Sequence, residues 1–65
     1  MKRWYHFDGV EVDVRVSVYA VDERAARGCL RIMFKTHEDE DWTFHSATHN
    51  RNGAGIISRT LSHVF

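Results

Sequence analysis

This chain of 65 residues lacks several features that small proteins often use for stability or catalysis. It has no proline, and its single cysteine, Cys29, has no partner for an intrachain disulfide, a zinc ribbon or a Cys-x-x-Cys redox pair. No apolar run approaches the roughly 18 residues of a membrane-spanning helix. We therefore expect no membrane association, and a reducing cytoplasm as the location.

The chain also lacks an excess of charge of either sign. Nine Lys and Arg residues balance nine Asp and Glu residues, whereas a dedicated nucleic-acid binder usually has a basic excess. A hydrophobic content of 43% with 28% charged residues is typical of a globular domain, so we expect one domain over residues 1–65. A chain this short buries only about 60% of its unfolded surface, which predicts a marginal core.

A β-hairpin is predicted near the start of the chain. Asp8-Gly9 tolerates the positive φ of a two-residue turn, and the flanking residues alternate between apolar and polar. This turn pairs Phe7 with Val10 and carries the second strand through Ala20. One face of the ribbon then holds the valines. The other face holds two large aromatic residues among polar ones, Trp4, His6, Glu11, Asp13, Arg15, Ser17 and Tyr19.

An amphipathic helix is predicted directly after the second strand. Asp22 can cap the first turn, and Glu23 adds negative charge at the positive end of the helix dipole. At about 100° per residue, the apolar side chains gather on one face, Ala26, Cys29, Leu30 and Met33. We expect this face to pack on the valine face of the hairpin, where the thiol of Cys29 would be buried and inert.

The rest of the chain predicts a third strand and an ambiguous C-terminal segment. Trp42-Thr43-Phe44-His45 is typical of a strand with Trp42 and Phe44 on one face. Segment 56–65 has apolar residues at helical spacing but also many strand-forming residues, and we favour helix over strand. The predicted fold class is α+β: an antiparallel sheet of a hairpin plus a third strand, with one amphipathic helix on one face, in the order β-β-α-β followed by α or β.

Charge is separated along this neutral chain. Four cations lie opposite the apolar face of the predicted helix and form a basic stripe, Arg24, Arg27, Arg31 and Lys35. An acidic run with an adjoining aromatic residue follows, Glu38, Asp39, Glu40, Asp41 and Trp42. The acidic run could imitate phosphates in a basic groove of a partner, with Trp42 as an anchor. The basic stripe could instead contact phosphates, or both could be ordinary solvated surface.

Other motifs give little support for metal binding or catalysis. His45 and His49 have the spacing that serves zinc on a helix, but in a strand they lie roughly 13 Å apart. His37 or His63 would have to supply a third ligand. Ser46 follows His45 without a strand-turn-helix nucleophile signature. We therefore expect no metal, no cofactor and no catalytic residue.

The aromatic residues on the polar face of the hairpin need a cover. Trp4 and Tyr19 are large apolar side chains on a face that is otherwise polar. A third layer of this chain, a partner protein or a second copy could cover them. Because open sheet edges often pair, a homodimer is one of the alternatives.

The junction between the second strand and the helix resembles a known kind of protein. Residues 14–27 read Val-x-Val-x-Val-Tyr-Ala followed by Val-Asp-Glu-Arg-Ala-Ala-Arg. This pattern is similar to the strand-to-helix junction of very small phage and mobile-element proteins, including some anti-CRISPR proteins. The resemblance implies a non-enzymatic protein that blocks a bacterial nucleoprotein defence complex by binding it, and it carries no residue roles.

Two functional hypotheses follow from the sequence. The first is a non-enzymatic inhibitor that binds a nucleic-acid-handling complex of the CRISPR type in the bacterial cytoplasm through Glu38, Asp39, Glu40, Asp41 and Trp42. The alternative is a small nucleic-acid-binding protein that uses the basic stripe.

Overall fold

Four strands and one helix make up the fold in a computed structural model that describes residues 1–36, 38–55 and 60–64. The elements are β1 (Arg3–Gly9), β2 (Arg15–Ala20), α1 (Glu23–Met33), a 3-10 turn (Asp39–Asp41), β3 (Trp42–Thr48) and β4 (Thr60–Val64). The sheet order is β3-β1-β2-β4. β1 is antiparallel to both of its neighbours, and β4 is parallel to β2. The predicted α+β class and the order β-β-α-β are confirmed.

The hairpin forms, but the predicted two-residue turn is wrong. β1 continues through Gly9, which does not adopt a positive φ, and the chain reverses over residues 10–14. Phe7 therefore pairs with Val16 instead of Val10. The longer loop is held by the backbone hydrogen bond from Gly9 N to Val14 O at 2.9 Å. Because the register moves by six residues, an even number, the strand residues keep their predicted faces.

The helix prediction is confirmed. The Asp22 carboxylate caps α1 by accepting a hydrogen bond from the Ala25 backbone N–H at 2.8 Å. The apolar face of α1 packs on β2 over a core of buried residues, Phe7, Val16, Val18, Ala20, Ala26, Cys29, Leu30 and Trp42. Burial raises the pKa of the Cys29 thiol, which keeps it protonated and unreactive.

The C-terminal segment contains a strand, so the preference for helix is wrong over residues 60–64. β4 lies beside β2, with Leu61 opposite Val16 and packed against the core. Parallel pairing satisfies the free edge of β2, which an isolated helix at this place could not do. Residues 56–59 and 65 lie outside the described part of the chain.

Two crossovers on opposite faces organise the sheet. β2, β3 and β4 all run parallel to one another, so α1 and the segment after β3 both make parallel crossover connections. The first connection crosses the sheet from β2 to β3, and the second crosses in the opposite direction from β3 to β4. Parallel crossover connections are right-handed, so two that cross in opposite directions lie on opposite faces of the sheet. Residues 49–55 accordingly cover the polar face, where the carbonyls of Ala54 and Gly55 accept hydrogen bonds from Arg15. In the described part of the chain, no helix is long and apolar enough to cross a membrane.

Candidate functional site

The acidic run forms a short turn at the end of the sheet where β3 begins. The side chains of Glu38 and Glu40 are exposed. The Asp41 carboxylate instead accepts a hydrogen bond from the Glu38 backbone N–H at 2.7 Å, and the Asp41 N–H donates to the Glu38 carbonyl at 3.0 Å. Asp41 therefore holds the turn closed, while Glu38 and Glu40 present charge to the solvent. Asp39 contributes its backbone to the same turn.

Trp42 does not stand beside these carboxylates as an exposed anchor. It is 6% exposed, belongs to the core, and its ring centroid lies 5.1 Å from that of Phe34, just past the end of α1. The sequence placed Trp42 correctly on a strand. Its burial follows from the packing of the C-terminal end of α1 over the start of β3, which no local pattern reveals.

A second loop supplies the apolar surface that Trp42 does not. The Val10 backbone N–H donates to the Asp41 carbonyl at 3.0 Å and ties the loop 10–14 to the acidic turn. Val10 is 59% exposed and Val12 is 46% exposed. We call this combined surface the acidic end, defined by its exposed residues Val10, Glu11, Val12, Asp13, Glu38 and Glu40.

The sequence did not predict the acidic end, because it predicted the hairpin turn at Asp8-Gly9 and not over residues 10–14. A turn at Asp8-Gly9 puts Val10 and Val12 on the core face of a strand. The loop 10–14 instead releases them to the solvent beside Glu11 and Asp13. A signal was present, because alternating Val and acidic residues directly after Asp-Gly fit an acidic loop as well as a half-buried strand.

Three members of the basic stripe are exposed, and the fourth is partly buried. Arg24, Arg31 and Lys35 lie on the exposed surface of α1 and the turn after it. Arg27 donates to the Glu23 carboxylate at 3.0 Å, and its guanidinium carbon lies 5.2 Å from the Phe7 ring centroid. Arg27 therefore packs against the core as well as carrying a charge. Three exposed cations remain in the stripe for contact with a phosphate backbone.

The polar face of the sheet holds a buried histidine between two hydroxyl groups. His6 is 0% exposed, with Nδ1 2.7 Å from Ser17 Oγ and Nε2 2.7 Å from Thr48 Oγ1. The Thr48 hydroxyl donates its only hydrogen to the Asn50 carbonyl, so it must accept from His6. We assign the tautomer accordingly: Nε2 carries the proton, and Nδ1 accepts from Ser17.

This histidine is held in its neutral form. Burial lowers the pKa of His6, and electrostatic interactions with Arg15 and His45 lower it further, while Asp8 opposes them. The chain of hydrogen bonds runs from β2 through β1 and β3 into the crossover segment. These hydrogen bonds fasten the crossover segment to the sheet. The hydroxyl of Ser17 is buried and does not face the solvent, from which a substrate would approach.

An ion pair on the same face anchors the far end of the crossover. Arg15 Nε lies 2.6 Å from Asp8 Oδ1, and Arg15 Nη2 lies 3.2 Å from Asp8 Oδ2. The hydrogen bond from Arg15 lowers the pKa of Asp8, and the same bond raises the pKa of Arg15. Arg15 Nη1 donates to the carbonyls of Ala54 and Gly55, so one buried guanidinium joins β1, β2 and the crossover.

The remaining sequence candidates do not assemble into a site. His45 is exposed and lies 2.8 Å, Nδ1 to Oγ, from Ser46. Among the described residues, no three His, Cys, Asp or Glu side chains are grouped so that they could hold a metal ion. His37 and the side chain of His63 lie outside the described part. The described residues also enclose no pocket for a small molecule.

The large aromatic residues of the polar face form a pair across β1 and β2. The ring centroids of Trp4 and Tyr19 lie 5.1 Å apart, and both residues are half-buried. The crossover segment 49–55 is the third layer on this face, and it lies against Thr48, the residue opposite Trp4. The chain therefore supplies a third layer beside this aromatic pair, and a cover over Trp4 and Tyr19 themselves stays a prediction.

Comparisons with protein-family models, with curated proteins and with solved structures give no match.

Proposed function

We propose that this chain is a non-enzymatic interaction protein that binds a basic surface of a bacterial nucleic-acid-handling complex and inhibits it. The observation that carries the proposal is the acidic end, where exposed carboxylates surround two exposed valines. The resemblance of residues 14–27 to small phage proteins supports the choice of a CRISPR-type defence complex as the target. The same resemblance supports the cytoplasm of the host bacterium as the location.

The acidic end has the chemistry of a docking surface. Carboxylates of Glu11, Asp13, Glu38 and Glu40 share one end of a molecule that measures 29 × 23 × 15 Å. Such a cluster attracts a basic groove that normally holds phosphates and speeds the encounter. Val10 and Val12 add apolar area that leaves water on contact, which charge alone does not provide.

The direct test is a pull-down of the tagged protein from bacterial lysate, with and without nuclease, followed by an affinity measurement on the captured partner. Neutralising Glu38 and Glu40 to Gln should weaken binding at least about tenfold, since two complementary charges are lost. Asp41 is left unchanged in this variant because it closes the turn.

A matched control separates a local effect from a change in net charge. The double variant Val21→Lys/Asn52→Lys also raises the net charge by two, at exposed positions that follow β2 and β3 at the end of the sheet opposite the acidic end. We expect it to bind like the natural protein. Unchanged binding by the folded Gln variant would overturn the assignment of the acidic end.

The alternative function, nucleic-acid binding by the basic stripe, has one specific observation in its favour. Gly28 lies on α1 among Arg24, Arg31 and Lys35, and apart from its own helix backbone and chain neighbours no atom lies within 4 Å of the position its Cβ would occupy. A phosphate backbone could approach the helix closely there. This function predicts partners that are lost on nuclease treatment and an affinity that falls steeply with salt.

A further inference from the structure

We propose that the outer edge of β3 is an interface at which two copies of this chain pair in antiparallel fashion about a twofold axis. β3 is a terminal strand of the sheet, so alternate backbone groups on its outer side have no partner strand among residues 1–36, 38–55 and 60–64. This inference concerns the purified protein alone and shares one residue, Glu40, with the acidic end, so Thr43→Lys, which leaves the acidic end unchanged, tests the dimer separately from the proposed function.

The outer edge of β3 lacks most of the features that prevent strand pairing. Its residues, Trp42–Thr48, include no proline and no Lys, Arg, Asp or Glu. Thr43, Phe44 and His45 are exposed. The bond from Val10 N to Asp41 O sets the alternation of the ladder, which turns the backbone N–H and C=O of Phe44 outward. The carbonyl of Trp42 accepts a hydrogen bond from Arg27 Nη1 at 3.5 Å, so the pairing surface centres on Phe44.

A β-bulge further limits pairing at this edge. The register between β1 and β3 shifts between His6 and Phe7, which leaves His45 as the extra residue on β3. A bulge bends a strand and interrupts a ladder, so pairing is confined to short runs on either side of it. The dimer is therefore expected to be reversible and dependent on concentration.

Phe44 provides apolar surface at the centre of this edge. It is 38% exposed, with its ring centroid 5.9 Å from that of Phe7 and 6.4 Å from that of Tyr5. α1 packs chiefly on β2, so the aromatic cluster near β3 is only partly covered. A twofold axis near the middle of β3 brings the two Phe44 side chains together and extends this cluster across the interface.

The charges that flank β3 are complementary under the same symmetry. Glu40 and Asp41 precede the strand, while His49 and Arg51 follow it, and Glu40 and Arg51 are exposed. Antiparallel pairing sets the acidic start of each β3 beside the basic end of the other. A parallel arrangement would instead place like charges together, so the charges favour the isologous dimer over that alternative.

The test is sedimentation velocity on the purified full chain over a roughly hundredfold range of concentration. We expect a monomer-dimer equilibrium that Thr43→Lys shifts to monomer, because a Lys on an edge strand opposes pairing. Ile32→Lys, an equal change at an exposed position of α1, should leave the dimer intact. Circular dichroism of each variant confirms that it remains folded.

A charge swap tests the geometry of the pair. Arg51→Glu should weaken the dimer about tenfold because the change occurs twice in a symmetric interface, and adding Glu40→Arg to the same chain should restore it. A monomer at all concentrations would overturn the proposal. So would a dimer that resists both Thr43→Lys and Arg51→Glu, since another surface, or the edge of β4, would then hold the copies together.

Discussion

At the scale of single residues, His6 decides how the stability of this protein depends on pH. Its pKa in the folded protein lies below the ordinary value of 6.5, first because it is buried and then because Arg15 and His45 are close. The unfolded chain therefore binds a proton more readily than the folded protein below about pH 6.5. Protonation of Nδ1 would also remove the acceptor for the Ser17 hydroxyl.

We predict that the free energy of unfolding falls as the pH decreases through about 6.5, and continues to fall until the lowered pKa of folded His6 is reached. Urea titrations between about pH 8 and about pH 5 measure this slope. His6→Gln, which can still bond to hydroxyl groups, should reduce the slope even if it lowers stability throughout. An equal slope in the variant and the natural protein would contradict the prediction.

Arg15 is the second residue with an effect beyond its own strand. Its removal as Arg15→Leu leaves Asp8 without its cation and two crossover carbonyls without donors, at an expected cost of about 2 to 3 kcal/mol. The exposed side of Asp8 keeps this cost below that of a fully buried pair. Glu23→Gln, which removes the charge of the helical ion pair with Arg27, should cost only about 0.5 kcal/mol. Urea unfolding compares the two variants directly, and equal losses would show that Arg15 does not fasten the crossover.

At the scale of elements, two glycines are expected to respond oppositely to the same substitution. Gly28→Ala in α1 should stabilise the protein by about 1 kcal/mol, because alanine is the better helix former and, apart from its own helix backbone and chain neighbours, nothing lies within 4 Å of its methyl group. Gly53→Ala should destabilise it, because the new Cβ would lie 2.8 Å from the Cβ and Oγ1 of Thr48. Thermal melts of both variants test this difference. A stabilising Gly53→Ala would mean that the crossover is not packed against β3 as described.

The elements also show why local pattern succeeded in one place and failed in another. α1 was predictable because its cap, Asp22, and its apolar face are encoded within a few turns of sequence. The position of the hairpin turn was not predictable in this way. The observed loop 10–14 depends on the hydrogen bond from Val10 to Asp41 and on the ion pair between Asp8 and Arg15. Contacts between distant residues decided where the chain reverses.

At the scale of the whole molecule, the protein is a sheet between two unequal layers. α1 covers the valine face, and the crossover covers the polar face through Arg15 and Thr48. A chain of 65 residues has a small core, so the polar layer and any pairing of copies matter more for stability than they would in a larger domain.

If two copies pair through β3, unfolding of the dimer follows mass action. We predict that the melting temperature rises with protein concentration, and that Thr43→Lys removes most of this dependence. Differential scanning calorimetry over a wide range of concentration gives the measurement. A melting temperature that does not change with concentration would contradict dimer formation under these conditions.

The sequence by itself determined the α+β class, the identity of the helix and the two faces of the hairpin. These depend on periodicity and capping, which act over a few neighbouring residues. It also located the charges of the acidic run and the basic stripe, but not the residues that lie beside them in the folded protein. Long-range contacts decided that Trp42 is buried, that Val10 and Val12 are exposed, and that residues 60–64 form a parallel strand beside β2. Burial depends on how the layers pack together, so only the tertiary structure decided which residues form the exposed surface.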